Sequence, residues 1–277
     1  MSEHKSGHAS VTERVADGLD LWGRLRDARG DITVFADRRE AGRRLAQLLA
    51  TSQFDDPLVI ALPRGGVPVA FEVAAALDAP LDILVVRKLG VPWQPELGMG
   101  AVGEGGVRTF NASVIAAAGL TDADVNEVIA REETEMAQRV QRYRRARPRE
   151  PVTGRTVILV DDGLATGFTA RAAVDFLRRE KARRIVVAVP LAPAETIAEM
   201  AELVDVVVCL EAPRGFSAVG QFYRDFTQVS DQDVADLLAL SDAHGVTENV
   251  NILIDKCRLE DNLTVPDGVR GVGSGKR

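Results

Sequence analysis

The chain has 277 residues, 46% of them hydrophobic and 27% charged, with a formal net charge of −7. That length suits one α/β domain with additions, and that balance is ordinary for a globular protein. The acidic charge argues against a general nucleic-acid coat, and no apolar run reaches membrane-spanning length.

Residues 1–30 are polar with scattered apolar positions, so at most a short helix is predicted there. Met1–His8 lacks an apolar h-region, so no secretory signal is expected. Ala41, Leu45, Leu48 and Leu49 share one face of a predicted helix over Arg38–Ala50, with Asp37 as its N-cap. Leu58–Leu62 reads as a buried strand, Val67–Leu77 as a helix and Leu81–Val86 as the next strand. A long charged helix is predicted from Thr121 to about Ala146, capped by Thr121 or Asp122. Thr156–Val160 follows as a strand and Phe168–Lys181 as its helix. Two further strands, Arg184–Val189 and Val204–Leu210, flank a helix over about Ala194–Leu203. This alternation predicts an α/β fold: a doubly wound, mostly parallel sheet with helices on both faces. Right-handed crossovers then bring the C-terminal ends of the strands to one edge.

The remaining residues narrow the chemistry. Cys209 and Cys257 are the only cysteines, and Cys209 falls in an apolar strand. A disulfide framework is therefore not expected, and a cytoplasmic setting is. His4, His8 and His244 are the only histidines and none lies in an ordered-looking motif, so histidine metal sites and Ser-His-Asp chemistry have little support.

The densest chemistry follows the Thr156–Val160 strand. Asp161 and Asp162 sit side by side at its tip, a pairing that suits ribose hydroxyls or a hydrated Mg²⁺. Ala165, Thr166 and Gly167 then lead through Phe168 into a helix, whose free N–H groups and positive dipole end suit a phosphate. Thr166 and Thr169 add hydroxyl donors. A turn that used Asp and Thr only as caps would not need two acids and two threonines at this spacing.

Val157–Thr169, with its apolar strand, two acids and Thr-Gly-x-Thr, resembles the signature of the type I phosphoribosyltransferases. That signature binds 5-phosphoribosyl-1-pyrophosphate (PRPP). The resemblance implies that Asp161 and Asp162 hold the ribose hydroxyls and the metal, and that Ala165, Thr166, Gly167, Phe168 and Thr169 hold the 5′-phosphate. It implies that Arg64, Gly65 and Gly66 form the pyrophosphate loop, aided by Arg87 and Lys88. It further implies a catalytic flexible loop over the glycine-rich Leu89–Asn111, which closes over PRPP and excludes water. Glu96, Glu104 and Arg108 are the polar candidates on that loop. Asp161, Asp162, Lys88 and Glu104 form the expected catalytic set, Mg²⁺ the expected cofactor, and PRPP with a nitrogenous base the expected small-molecule partners. A homodimer is compatible with the resemblance. The second functional reading is a non-catalytic module that senses PRPP or a nucleotide.

Past the last strand, Phe216, Phe222, Tyr223 and Phe226 suggest a small hood over the sheet edge, able to stack on a base. Ala165 stands where hypoxanthine-guanine enzymes carry an Asp, so the acceptor is left open. The runs Phe35–Gly42 and Gly220–Phe226 are most similar to a bacterial phosphoribosyltransferase-like group often fused to a dienelactone-hydrolase-type domain. The expected organisation is an N-terminal extension over 1–30, a phosphoribosyltransferase domain with its hood over 31–240, and a tail over 241–277. Arg258–Val272 in that tail resembles the opening hairpin of such a hydrolase, but no Gly-x-Ser-x-Gly elbow exists. The tail is therefore expected to contribute little to the site. The arginines between Arg139 and Arg149 are expected to be a solvated helix end. Gly271–Arg277 lacks the spacing of a P-loop.

Overall fold

The structure, a computed structural model, describes residues 34–145 and 147–243. Five strands form a parallel sheet in the order β2-β1-β6-β7-β8: β1 (Pro57–Ala61), β2 (Leu81–Ile83), β6 (Thr156–Val160), β7 (Arg184–Leu191) and β8 (Val206–Glu211). Their sequences are near-continuous apolar runs because both faces are covered. Alternate residues divide between two cores. Val59, Ala61, Ile158 and Val160 face α1 (Arg38–Leu49) and α2 (Gly66–Leu77), while Leu58, Ile60, Val157 and Leu159 face α5 (Phe168–Arg179). A short helix α6 (Ala194–Ala201) joins β7 to β8. This is the doubly wound, mostly parallel α/β sheet expected from the sequence.

The apolar stretch Leu81–Val86 is not one strand. β2 ends at Ile83, and the chain leaves the main sheet through Leu84 and Val85 to start a second sheet. β3 (Val86–Val91), β4 (Gln94–Gly103) and β5 (Val107–Phe110) pair antiparallel in that order. Leu89, Val91, Met99 and Val102 bury this small sheet against Val125, Val128 and Ile129 of the long helix α4 (Asp122–Arg144). The helix α3 (Ala112–Ala117) links the two, and Thr121 caps α4 through a reciprocal capping box with Asp124.

The glycine-rich stretch thus forms a packed sheet, and two of its glycines have a packing reason. A Cβ at Gly90 would lie 2.4 Å from the Pro95 carbonyl oxygen, and one at Gly100 would lie 2.2 Å from that of Thr109.

The arginine run at the end of α4 is more than a solvated face. Arg144 reaches inward to Asp82 at 2.8 Å and to Glu104 at 3.2 Å, all three side chains being buried. Arg147 adds a longer contact to Asp82 at 3.5 Å.

A helix over residues 231–243 closes the described part of the chain and crosses the expected boundary at 240. The expected extension over 1–30 and the hydrolase-like hairpin lie outside the described residues, as do His4, His8, His244 and Cys257. Cys209 is buried, and burial pushes its thiol up to about 12, so it is an inert strand residue.

Candidate functional site

Because β1 and β6 are adjacent and parallel, the loops that follow them meet at one edge. Asp161 and Asp162 leave the tip of β6 half-buried. The Asp162 N–H donates to Asp161 Oδ1 at 2.9 Å, which fixes the first carboxylate. Gly65 and Gly66 come up against the acids from the next strand. A Cβ at position 65 would lie 2.1 Å from Asp162 Oδ2, and one at position 66 would lie 2.9 Å from the Asp161 Cα. These two glycines are required where the β1 loop passes the acid pair. The Pro63–Arg64 peptide before them is cis.

The loop that follows the acid pair runs directly into a helix. Gly167 turns the chain at φ +70°, a conformation favoured by glycine, and α5 begins at Phe168 with no side chain capping it. Its first N–H groups therefore remain available. Ala165 and Thr166 lead into that turn, and Thr169 is half-buried in the first turn of the helix. Thr196 supports the loop from α6: its Oγ1 donates to the Ala165 carbonyl at 2.8 Å, and its methyl would lie 3.1 Å from a Cβ at Gly167. Nothing in the sequence singled out Thr196, since a lone threonine 31 residues from Ala165 carries no local signal.

The small sheet brings Lys88 to the same loop. A Cβ at Gly98 would lie 3.2 Å from Lys88 Cε and 3.9 Å from the Phe168 ring. Lys88 is exposed, with its ammonium donating to the Glu96 carbonyl oxygen. Arg87 is directed elsewhere: its guanidinium makes two hydrogen bonds, at 2.6 and 2.9 Å, to Glu132 on α4. Arg64 lies 3.5 Å from Asp231, which Tyr143 and Arg142 also contact. Arg108 pairs with Glu133 on α4.

Glu104 must be reassigned. The sequence puts it among the catalytic groups of a mobile loop. Its carboxylate is instead buried against Arg144 and accepts from the Val85 N–H, which ties the small sheet to the main one.

Arg38 is the principal site residue that sequence reasoning missed. It opens α1 behind the N-cap Asp37, which accepts from the Glu40 N–H. Its Nε donates to Asp162 Oδ2 at 2.7 Å and its Nη1 to the Thr227 carbonyl at 2.9 Å, with the guanidinium 3.8 Å from the centre of the Phe226 ring. Tyr223 donates its hydroxyl to the Asp162 carbonyl at 2.6 Å. Phe216 and Phe222 stack on each other, Phe222 and Tyr223 are buried, and Phe226, stacked with Tyr223, is partly exposed. The signal for Arg38 was present only as the conspicuous run Phe35–Gly42.

Charge at the strand tip is unevenly balanced. Burial pushes the Asp161 carboxyl well above the usual carboxylate range, and the neighbouring Asp162 charge adds to that. Burial also raises Asp162, but the Arg38 hydrogen bond and charge pull it back. The pair is therefore short of positive charge and of donors, a demand that ribose hydroxyls or a cation would meet.

Known proteins resemble this chain in sequence and in fold. The phosphoribosyl transferase domain family matches residues 101–227. Two curated proteins of Mycobacterium tuberculosis, Rv0571c and MT0597, provisionally named phosphoribosyl transferases, are 46% identical over 253 residues. The match covers 86% of this chain but 57% of each of theirs, so the chain spans little more than half the length of these relatives. The crystal structure of TT1426 from Thermus thermophilus is 43% identical, with a TM-score of 0.66, over 74% of this chain and 98% of that one. The chain belongs to the type I phosphoribosyltransferase family.

Proposed function

We propose that the protein is a Mg²⁺-dependent phosphoribosyltransferase that joins the phosphoribosyl group of PRPP to a nitrogenous acceptor and releases pyrophosphate, or runs the reverse reaction. The observation that carries this reading is the contact of the acid pair with Gly65 and Gly66, immediately before the uncapped N-terminus of α5. Asp161 and Asp162 accept hydrogen bonds from the ribose hydroxyls. The amides and hydroxyls of Ala165–Thr169 bind the 5′-phosphate at the positive end of the helix. Lys88, beside Phe168, contributes charge on the pyrophosphate side.

The donor set fits Mg²⁺ on chemical grounds. No group of three His, Cys, Asp or Glu side chains able to hold a metal exists among the described residues. Mg²⁺ typically takes one or two carboxylates and completes its shell with substrate oxygens and water. The Asp161 and Asp162 carboxylates would provide that number. When bound, the ion neutralises the leaving pyrophosphate. The chain itself contributes binding, orientation and charge stabilisation at ribose C1, with no side chain required as a general base.

A non-catalytic sensing module is the second reading. Its support is that Arg87 is already engaged by Glu132, and Lys88 by the Glu96 carbonyl. Labelled PRPP with a panel of purine, pyrimidine and nicotinate-like acceptors separates the two. Turnover with any acceptor establishes the transferase. Tight PRPP binding without turnover across the panel favours the sensor.

A further inference from the structure

We propose that Arg38 is a positioning residue of the phosphoribosyl site, which locks the Asp162 carboxylate and clamps the 222–227 segment over it as one unit. The inference rests on the phosphoribosyl reading of the site, but its geometry is independent of any ligand.

Asp162 is confined on two sides. Gly65 is so close to Oδ2 that no side chain could stand there, and Arg38 Nε donates to the same oxygen at 2.7 Å. Oδ1 lies beside the neighbouring Asp161 carboxylate, so the two acids meet a ligand as one unit. The guanidinium is itself held by the Thr227 carbonyl and by the Phe226 ring. Tyr223 closes the circuit by donating to the Asp162 carbonyl. The backbone repeats the connection just before α1. Phe35 N–H donates to the Phe222 carbonyl, and the Arg224 and Asp225 N–H groups donate to the Phe35 and Ala36 carbonyls, all at 2.9 Å. Phe35 and Tyr223 are also linked as a parallel bridge.

A planar fork can donate to a carboxylate and a carbonyl at once while offering its face to an aromatic ring. A lysine ammonium at the same place is a point charge and cannot hold all three. Without the fork, two adjacent carboxylates at one strand tip repel, and Asp162 is free to turn away from the ribose position. The bonds of Arg38 run to Asp162 and Thr227, not to the phosphate loop at Ala165–Thr169, which should not depend on it.

The test compares wild type with Arg38→Lys and Arg38→Ala by calorimetry, using ribose 5-phosphate and inorganic phosphate as probes. A thermal melt of each variant checks the fold. Arg38→Ala should bind ribose 5-phosphate more weakly by roughly ten- to a hundredfold, the range for one hydrogen bond to a charged group. Inorganic phosphate should bind all three proteins alike. Arg38→Lys should recover only part of the loss, and ethylguanidinium added to Arg38→Ala should restore ribose 5-phosphate binding where equal sodium chloride does not. If Arg38→Ala melts too low to study, Arg38→Lys against wild type carries the same comparison. Parallel loss of both probes would show a purely structural role and overturn the proposal, as would unchanged ribose 5-phosphate binding in both variants. A wild type that binds phosphate but not ribose 5-phosphate would overturn the functional reading itself, a result distinct from either of these.

Discussion

Arg144 and Glu104 form an ion pair at 3.2 Å with both side chains about nine-tenths buried. One residue ends the long helix α4 and the other follows β4, so the bond fastens the small sheet to the helix behind it. Asp82 shares the same guanidinium at 2.8 Å, and Arg144 also donates to the Ile83 carbonyl at 2.8 Å. The cluster therefore sits where the chain passes from the main sheet to the small one. It governs how β3, with Arg87 and Lys88, leaves that junction.

Arg144→Met should be strongly destabilising, because it strands two buried carboxylates. Removing one partner of a buried charge pair typically costs about 3–5 kcal/mol. Arg131, whose side chain is 63% exposed and pairs with Glu132, provides the contrast. Arg131→Ala should change stability by less than about 1 kcal/mol, as exposed pairs do. Urea titration of both variants checks this, and similar midpoints would refute the structural role given to Arg144.

Gly65→Ala isolates a steric effect. Its backbone, at φ −60° and ψ −35°, is open to any residue, so alanine introduces no conformational strain. The new methyl would instead collide with the Asp162 carboxylate, 2.1 Å away. PRPP binding should weaken by roughly tenfold or more, about 1.4 kcal/mol. Calorimetry with PRPP and Mg²⁺ measures it, and wild-type affinity would show that the carboxylate position does not matter to the ligand.

Asp161→Asn should trade binding for stability. The folded-state pKa of Asp161 is raised above its usual value by burial and by Asp162. The folded protein then holds the proton more tightly than the unfolded chain, so the carboxylate lowers stability as pH rises through that window. The amide avoids this loss. Its melting temperature should exceed that of wild type at pH 7.5, and the difference should shrink as pH falls toward the ordinary value of about 3.9. The same variant, combined with Asp162→Asn, should lose productive PRPP binding. A variant less stable than wild type at pH 7.5 would contradict the charge reading.

Thr166→Val keeps the shape of the exposed loop and removes one hydroxyl. Any 5′-phosphorylated ligand should bind more weakly by roughly 1–3 kcal/mol, the range for a hydrogen bond to a charged group. Equal binding of ribose 5-phosphate to variant and wild type would move the phosphate away from this loop.

The parallel sheet was legible because its strands are short apolar runs, three of them (β1, β6 and β7) followed by a helical period, and both signals survive in a single sequence. The acid pair and its threonines were legible because they are contiguous. What could not be read were relationships across the chain. Leu84 and Val85 are as apolar as Leu81 and Ile83, so the exit from one sheet into another leaves no mark. Glycine in Gly90–Gly106 reads as mobility, yet Gly90 and Gly100 mark close backbone approaches. Glu104 looks like a free acid on a loop because its partner Arg144 lies 40 residues away. The arginine pattern itself could not separate Arg144, which turns inward, from its exposed neighbours. Short α3 and the helix over 231–243 also escaped the sequence reading, the first because six residues carry too little periodicity.

The clamp between Arg38 and Thr227 joins positions 189 residues apart. All five strands of the main sheet are complete by Glu211. A nascent chain emerging from the ribosome can therefore assemble its whole sheet, with Asp162 already at the strand tip, while Tyr223 and Thr227 are still inside the exit tunnel. During that interval Arg38 lacks its carbonyl partner and Asp162 lacks its phenol. Scaffold and site thus mature in succession, and ordering of the acid pair waits on one of the longest-range contacts in the domain.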